Sequence, residues 1–403
     1  MTPSTAPSAP DLPPPIGIVG PIGWLRQNLF SSPASSLVTI VLGAILAVVA
    51  FELGRWAYSE ARWGVVTANF RLFLIGQYPM EAAWRLWLSL FVVSTLAGLS
   101  AGTAGGTIRT LATWLAAGQA LLAGLAFLSE LGPVVPGALL VNAVVLWVAF
   151  FLKLGRFVPR PALTWAWLLS IPVSAVLLAG VGGTPLEPVS TNLWGGLLLT
   201  FLLALVGILL SFPFGVLLAL GRRSSLPAVR LLSTAYIELI RAVPLVTVLF
   251  MASIMLPLFL PGEIRIDRVV RAMGGITLFS AAYVAENVRG GLQAIPSGQI
   301  EAAQALGLST YRMNRHIVLP QALRSVIPAN VGLFISLLKD TTLVYILGLL
   351  EILGIGRAVL AQSQWFGAQM EVYAFVAAVF FVLCYTMSQA SYRLEEALGV
   401  GQR

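Results

Sequence analysis

The sequence predicts an all-α, polytopic membrane bundle of about ten helices, and three observations carry that reading. Of 403 residues, 58% are hydrophobic and 10% charged, where an ordinary soluble domain carries about 25% charge. Apolar stretches recur at the ~20 residues needed to cross a ~30 Å hydrocarbon core. The basic residues behind the net charge of +8 sit in short segments between those stretches, a placement that sets topology and argues against nucleic acid.

In chain order, residues 1–33 are a leader rich in Pro, Ser and Ala, with a Pro13-Pro14-Pro15 run, expected to be flexible and cytoplasmic. It lacks the features of a cleaved signal peptide, so removal is not expected. Ten spans follow, near 35–52, 85–104, 108–129, 134–152, 163–182, 195–220, 230–260, 269–290, 322–347 and 371–391. Gly98 and Gly102 make a small-xxx-small pair suited to close helix packing. The 230–260 stretch is too long for one straight span, and Pro244 should bend it. Pro328 interrupts the ninth.

Orientation follows the charges beside the spans. With a cytoplasmic N-terminus, the inner side carries Arg26, Arg109, Lys153, Arg156, Arg160, Arg222, Arg223, Arg230, Arg289, Arg312, Arg315, Arg324 and Arg393. Glu130, Glu187, Glu263, Asp267, Glu351 and Glu371 fall outside. Both termini are then cytoplasmic. The outer segment 53–84 holds Trp56, Tyr58, Trp63 and Tyr78, aromatics that favour the headgroup layer, and is expected to lie along the outer membrane face.

The polar interruption at 291–321 is the most informative segment. Pro296 ends the preceding helix, Ser297 can cap a new one, and Gly307 can close it in a left-handed conformation. Ser309 can start a second short helix and Pro320 should stop it. The result is a compact knob, and the small Ala302, Ala303 and Ala305 would let a partner approach closely. Glu301-Ala302-Ala303, three residues, Gly307, nine residues, Ile317, one residue and Leu319-Pro320 together match the EAA loop of binding-protein-dependent ABC importers. The resemblance implies a coupling helix seated in a cleft of a cytoplasmic ATPase, with Glu301, Ala302, Ala303, Gly307, Ile317, Leu319 and Pro320 as the coupling site.

The resemblance extends over 195–395. Tyr236 to Leu245, Ala281 to Glu286 with Arg289-Gly290-Gly291, and Lys339 to Leu343 are similar to polar amino-acid permeases, with Ala242 where Gly is usual and Thr342 where Ser is usual. Further upstream, Arg71 to Pro79 and Trp84 to Trp87 resemble the longer membrane subunit of general L-amino acid importers. This implies accessory membrane helices over 34–190, with a periplasmic loop near 53–84. It also implies a five-helix type I ABC importer permease core over 191–403, with its coupling loop at 296–320. The implied partners are an ABC ATPase dimer, a second, shorter permease and a periplasmic amino-acid-binding protein, in a bacterial inner membrane.

A phosphate-cradling loop needs Gly-Lys-Ser/Thr, and the only two lysines, Lys153 and Lys339, each follow leucine. The chain is therefore expected to bind no cofactor and to catalyse no reaction itself, ATP and magnesium being used by the partner. One histidine, His316, and one cysteine, Cys384, exclude a His/Cys metal cluster and an intrachain disulfide. Charges within spans are functional candidates. Glu286 suits either a translocation path or pairing with Arg289. Glu238 and Arg241 lie three apart on one helix face and can pair. Lys339 and Asp340 fit a structural or gating role better than ligand contact. The alternative reading is an ion-gradient-driven secondary transporter of amino acids, which would need no coupling loop.

Overall fold

The computed structural model describes residues 20–103, 107–129, 132–262 and 264–399; the leader's first 19 residues, Glu130 and Glu263 lie outside the described residues. The described chain is helical almost throughout, with two isolated bridges, Gly76 to Trp194 and Gly196 to Glu351, and no strand among the described residues. Helices satisfy every backbone polar group within one segment, as a bilayer interior demands.

Residues up to Arg62 form one compact unit. A short helix, Pro21–Asn28, precedes α1, Pro33–Arg55. The Ser32 hydroxyl accepts from the Ser35 amide at 3.1 Å, and the Ser35 hydroxyl accepts from the Ser32 amide at 2.9 Å. These reciprocal bonds satisfy amides that a helix start would orphan. None of the α1 residues is buried.

Trp63–Arg403 form the second unit. Two short helices, Gly64–Ala68 and Phe70–Ile75, occupy much of the segment expected to line the membrane face. They send Val65, Phe70 and Phe73 into a core with Ile352, Ile355, Val372 and Val376, where the Phe73 and Phe375 rings meet edge to face at 5.0 Å. Four long helices follow: α2, Trp84–Thr103; α3, Thr107–Phe127; α4, Val134–Phe151; and α5, Arg160–Ala179. Gly98 lets α2 lie on α4: a Cβ there would stand 2.5 Å from the Leu146 carbonyl oxygen. Gln119 donates to Ser94 at 2.8 Å, and Trp167 donates to Ser100 at 2.9 Å, joining α3 and α5 to α2.

The remaining helices are α6, Gly196–Arg222; α7, Pro227–Arg241; α8, Leu245–Phe250; α9, Arg268–Gln293; α10, Ser297–Ala305; α11, Thr310–Met313; α12, Leu319–Ser325; α13, Ile327–Asp340; α14, Ile352–Leu360; and α15, Gln369–Leu398. α9 is the axis of this half. Ala272, Ile276, Ala281, Ala282, Val284, Ala285 and Val288 are sealed in, and a Cβ on Gly215 of α6 would stand 2.5 Å from the Val284 Cβ. Small residues at such a contact let backbones approach and gain dispersion energy, the main source of helix association in lipid.

The expected count of about ten spans is approximately met, and the expected bend at Pro244 forms. Eight helices among the described residues are long and apolar enough to cross a membrane, or nine when the bent pair α7 and α8 counts as one span. α9, the remaining segment of the expected ten, is long enough but carries four charges, the exposed Arg268 and the half-buried Arg271, Glu286 and Arg289. The 230–260 stretch is broken by 107° between Arg241 and Leu245. Pro244 precedes the first residue of α8, and a proline disfavours helical conformation in the residue before it. Glu351 is fully buried and caps α14, accepting from the Leu353 and Gly354 amides at 2.8 Å each. Glu371 is likewise buried.

Candidate functional site

α10 spans nine residues, as its punctuation predicts. Pro296 occupies the cap position and Ser297 is the first helical residue, with no side-chain cap. Gly307 closes the helix at φ 70°, and Leu308 N–H reaches back to the Ala303 carbonyl at 3.1 Å, the pattern of a left-handed helix stop. Nothing lies within 4 Å of where a Gly307 Cβ would be. The glycine is thus required by backbone conformation rather than by crowding within this chain.

Burial of this knob is one-sided. Ala303 is 1% exposed and packs with Val288, Leu292, Met313, Val318 and Ala322. Glu301, Ala302, Gly307 and Pro320 are exposed, while Ile317 and Leu319 are half-buried. Ser309 caps α11 as its position suggests. Pro320 does not stop the second helix: α11 runs through a π-type turn, Asn314–Val318, directly into α12. The wider turn accommodates the missing proline N–H and its ring, which would clash in a regular α-helix. The knob thus comprises α10 and a continuous 310–325 rod, anchored to the end of α9 by a buried apolar cluster.

Above that anchor, the ends of α6, α7 and α9 converge on one carboxylate. Glu286 accepts from Arg289 Nε at 2.8 Å and lies 3.4 Å from Arg222 and 3.5 Å from Arg241. Arg222 also reaches Glu238 at 2.9 Å. Of the expected pairings, Glu286 with Arg289 forms. Glu238 and Arg241 do not pair: Glu238 turns to α6 and Arg241 to α9. Arg222, read only as a topology charge, is the bridge between both carboxylates. Its signal was its place at the last residue of a span, level with the charged ends of two others. Half-buried charges in such a cluster lock the three helix ends together, because losing one partner leaves others uncompensated.

Lys339 and Asp340 lie at the end of α13, the first exposed and the second half-buried. Neither makes an ion pair among the described residues. Deeper in, Asn287 donates to the buried Asn330 at 3.0 Å, linking α9 to α13.

The described residues thus form a multi-span helical bundle with a short helical knob following α9. A family profile described as binding-protein-dependent transport system inner membrane component matches residues 211–396. An inner membrane amino-acid ABC transporter permease protein, YhdY, of Escherichia coli K12 is 37% identical, over 94% of this chain and 93% of that relative. A glutamate/glutamine/aspartate/asparagine transport system permease protein, BztC, of Rhodobacter capsulatus is also 37% identical, over 96% and 95%. A solved chain described as an amino acid ABC transporter with histidines is 30% identical, covering 50% of this chain and 92% of that one at a TM-score of 0.45. The chain belongs to the family of binding-protein-dependent transport system inner membrane components. It is an ABC importer permease, a transport component, and not an ion-gradient-driven carrier. Membership implies an ATPase and a substrate-binding protein as partners.

Proposed function

We propose that this chain is one membrane half of an ATP-driven amino-acid importer, with α10 as the element that seats on a cytoplasmic ATPase. The observation that carries the reading is the knob itself: the nine-residue α10 bears Glu301-Ala302-Ala303, the 310–325 rod completes the EAA spacing, and Glu301, Ala302 and Gly307 are exposed. The relatives at 37% identity are named for amino-acid transport, which supports that substrate class. Both termini are then cytoplasmic, ATP and magnesium are bound by the ATPase rather than by this chain, and the second membrane half is a shorter permease.

Closure of the ATPase would displace α10. The buried Ala303 cluster and the Glu286 network would pass that displacement to α6, α7 and α9 together, as a shift of rigid elements. Lys339 and Asp340, which make no ion pair among the described residues, fit the face that meets the second permease or the translocation path. In the test, the importer carries Gly307→Val, which forces a β-branched residue to positive φ. Loss of the ATPase on co-purification, with unchanged membrane levels of the permease, is the expected result. Normal association and normal uptake would overturn the assignment.

A further inference from the structure

A cavity of about 320 Å³ lies where α2 ends and α4 turns into α5, lined by Gly102, Thr103, Lys153, Gly155, Arg156, Val158 and Arg160. Three of its seven lining residues are cations and none is acidic. Lys153, Arg156 and Arg160 make no ion pair among the described residues, unlike the arginines around Glu286. Three uncompensated cations around one hollow repel one another, an arrangement that an anion would relieve.

The turn that carries them is held in place. A Cβ on Gly155 would stand 2.0 Å from the Leu99 carbonyl oxygen, and one on Gly102 would stand 3.1 Å from the Lys153 Cα. The backbone of the turn therefore presses directly on α2. Lys153 is the one non-glycine residue at positive φ, 51°, among the described residues, a conformation that costs free energy and persists where surrounding structure imposes it. Beside the cations the surface is apolar: Phe151, Leu152, Phe157 and Trp165 are all exposed, and the Arg156 guanidinium lies 4.9 Å from the Phe157 ring centre.

We propose that this cavity binds the phosphate headgroup of an anionic phospholipid, with its acyl chains along the apolar flanks of α4 and α5. Basic hollows between membrane helices suit anionic headgroups. The exposed apolar flank, Phe151, Leu152, Phe157 and Trp165, favours a lipid over a free phosphate, which would leave it uncovered.

The test uses the full-length chain in nanodiscs of phosphatidylcholine doped with phosphatidylglycerol, and native mass spectrometry to count retained lipids. Wild type is expected to retain phosphatidylglycerol in preference to phosphatidylcholine. Lys153→Gln, Arg156→Gln and Arg160→Gln together should cut that retention on the order of 100-fold. The charge-conserving set Lys153→Arg, Arg156→Lys and Arg160→Lys should keep it, as should Arg230→Gln, which removes an exposed cation on α7. Equal retention of both lipids by wild type, or undiminished retention by the glutamine set, would overturn the proposal. Displacement of the lipid by inorganic phosphate would also overturn it, in favour of a free anion.

Discussion

α1 and α9 invert the usual relation between composition and burial. α1 is apolar almost all round, and none of its residues is buried. α9 carries four charged residues, yet holds the most deeply sealed side chains of its half. In water the apolar helix would be the core. In lipid, apolar surface gains nothing by turning inward, and close backbone approach decides what packs. Hydropathy along such a chain therefore reports contact with lipid, while small residues and paired charges report the core.

The largest expected effect comes from adding volume on each side of that contrast. Gly215→Val drives a side chain into Val284 and should cost about 3 kcal/mol or more, seen as loss of a monodisperse gel-filtration peak. Gly43→Val in α1, where nothing lies within 4 Å, should leave the peak unchanged. Equal damage at both sites would break the comparison.

Glu351 sharpens it next, as a carboxyl sealed in protein outside the long spans. Burial pushes its pKa up to about 7, against the Leu353 and Gly354 amides and Arg357, which lower it. A native pKa above the unfolded one means the native state holds its proton longer. Stability is full below about pH 4.5 and is lost as pH rises through 7. Thermal unfolding should therefore weaken between pH 5 and pH 8 by on the order of 2 kcal/mol. Glu351→Gln should flatten that slope, and an unchanged slope would count against the assignment.

Glu286→Gln removes the negative centre facing Arg222, Arg241 and Arg289. Because the cluster is half-exposed, about 1–2 kcal/mol of stability is expected to go, with uptake falling more than membrane level. A double-mutant cycle with Arg222→Met should show coupling; strict additivity would dissolve the network. Smallest is Ser32→Ala, which should loosen the start of α1 by about 1 kcal/mol, read as faster amide exchange at Ser35 and Ser36.

How much of this was legible depends on the range of the cause. The length of α10, the left-handed Gly307 and the break near Pro244 follow from local backbone preferences, and sequence shows them. The close packing at Gly98 follows from residue size. Partner choice in the charge cluster does not: Glu238 faces Arg241 one turn away, yet prefers Arg222, a residue brought near only by the packing of α6 against α7. Pro320 misleads for a related reason, since its usual helix-stopping effect is absorbed by the π-type turn before it. α9 reads as one more span with an internal Glu286–Arg289 pair, and only the packing of α6 and α7 against it reveals that Arg222 and Arg241 join that pair.

The central claim is that α10 touches a nucleotide-driven partner. Ala302→Cys, in a Cys384→Ser background, places one thiol on the exposed side of the helix. Cross-linking in membranes that carry the assembled importer should join this chain to the ATPase subunit, with a yield that changes on adding ATP. Absence of any such product, together with uptake that persists after the ATPase is removed, would contradict the account.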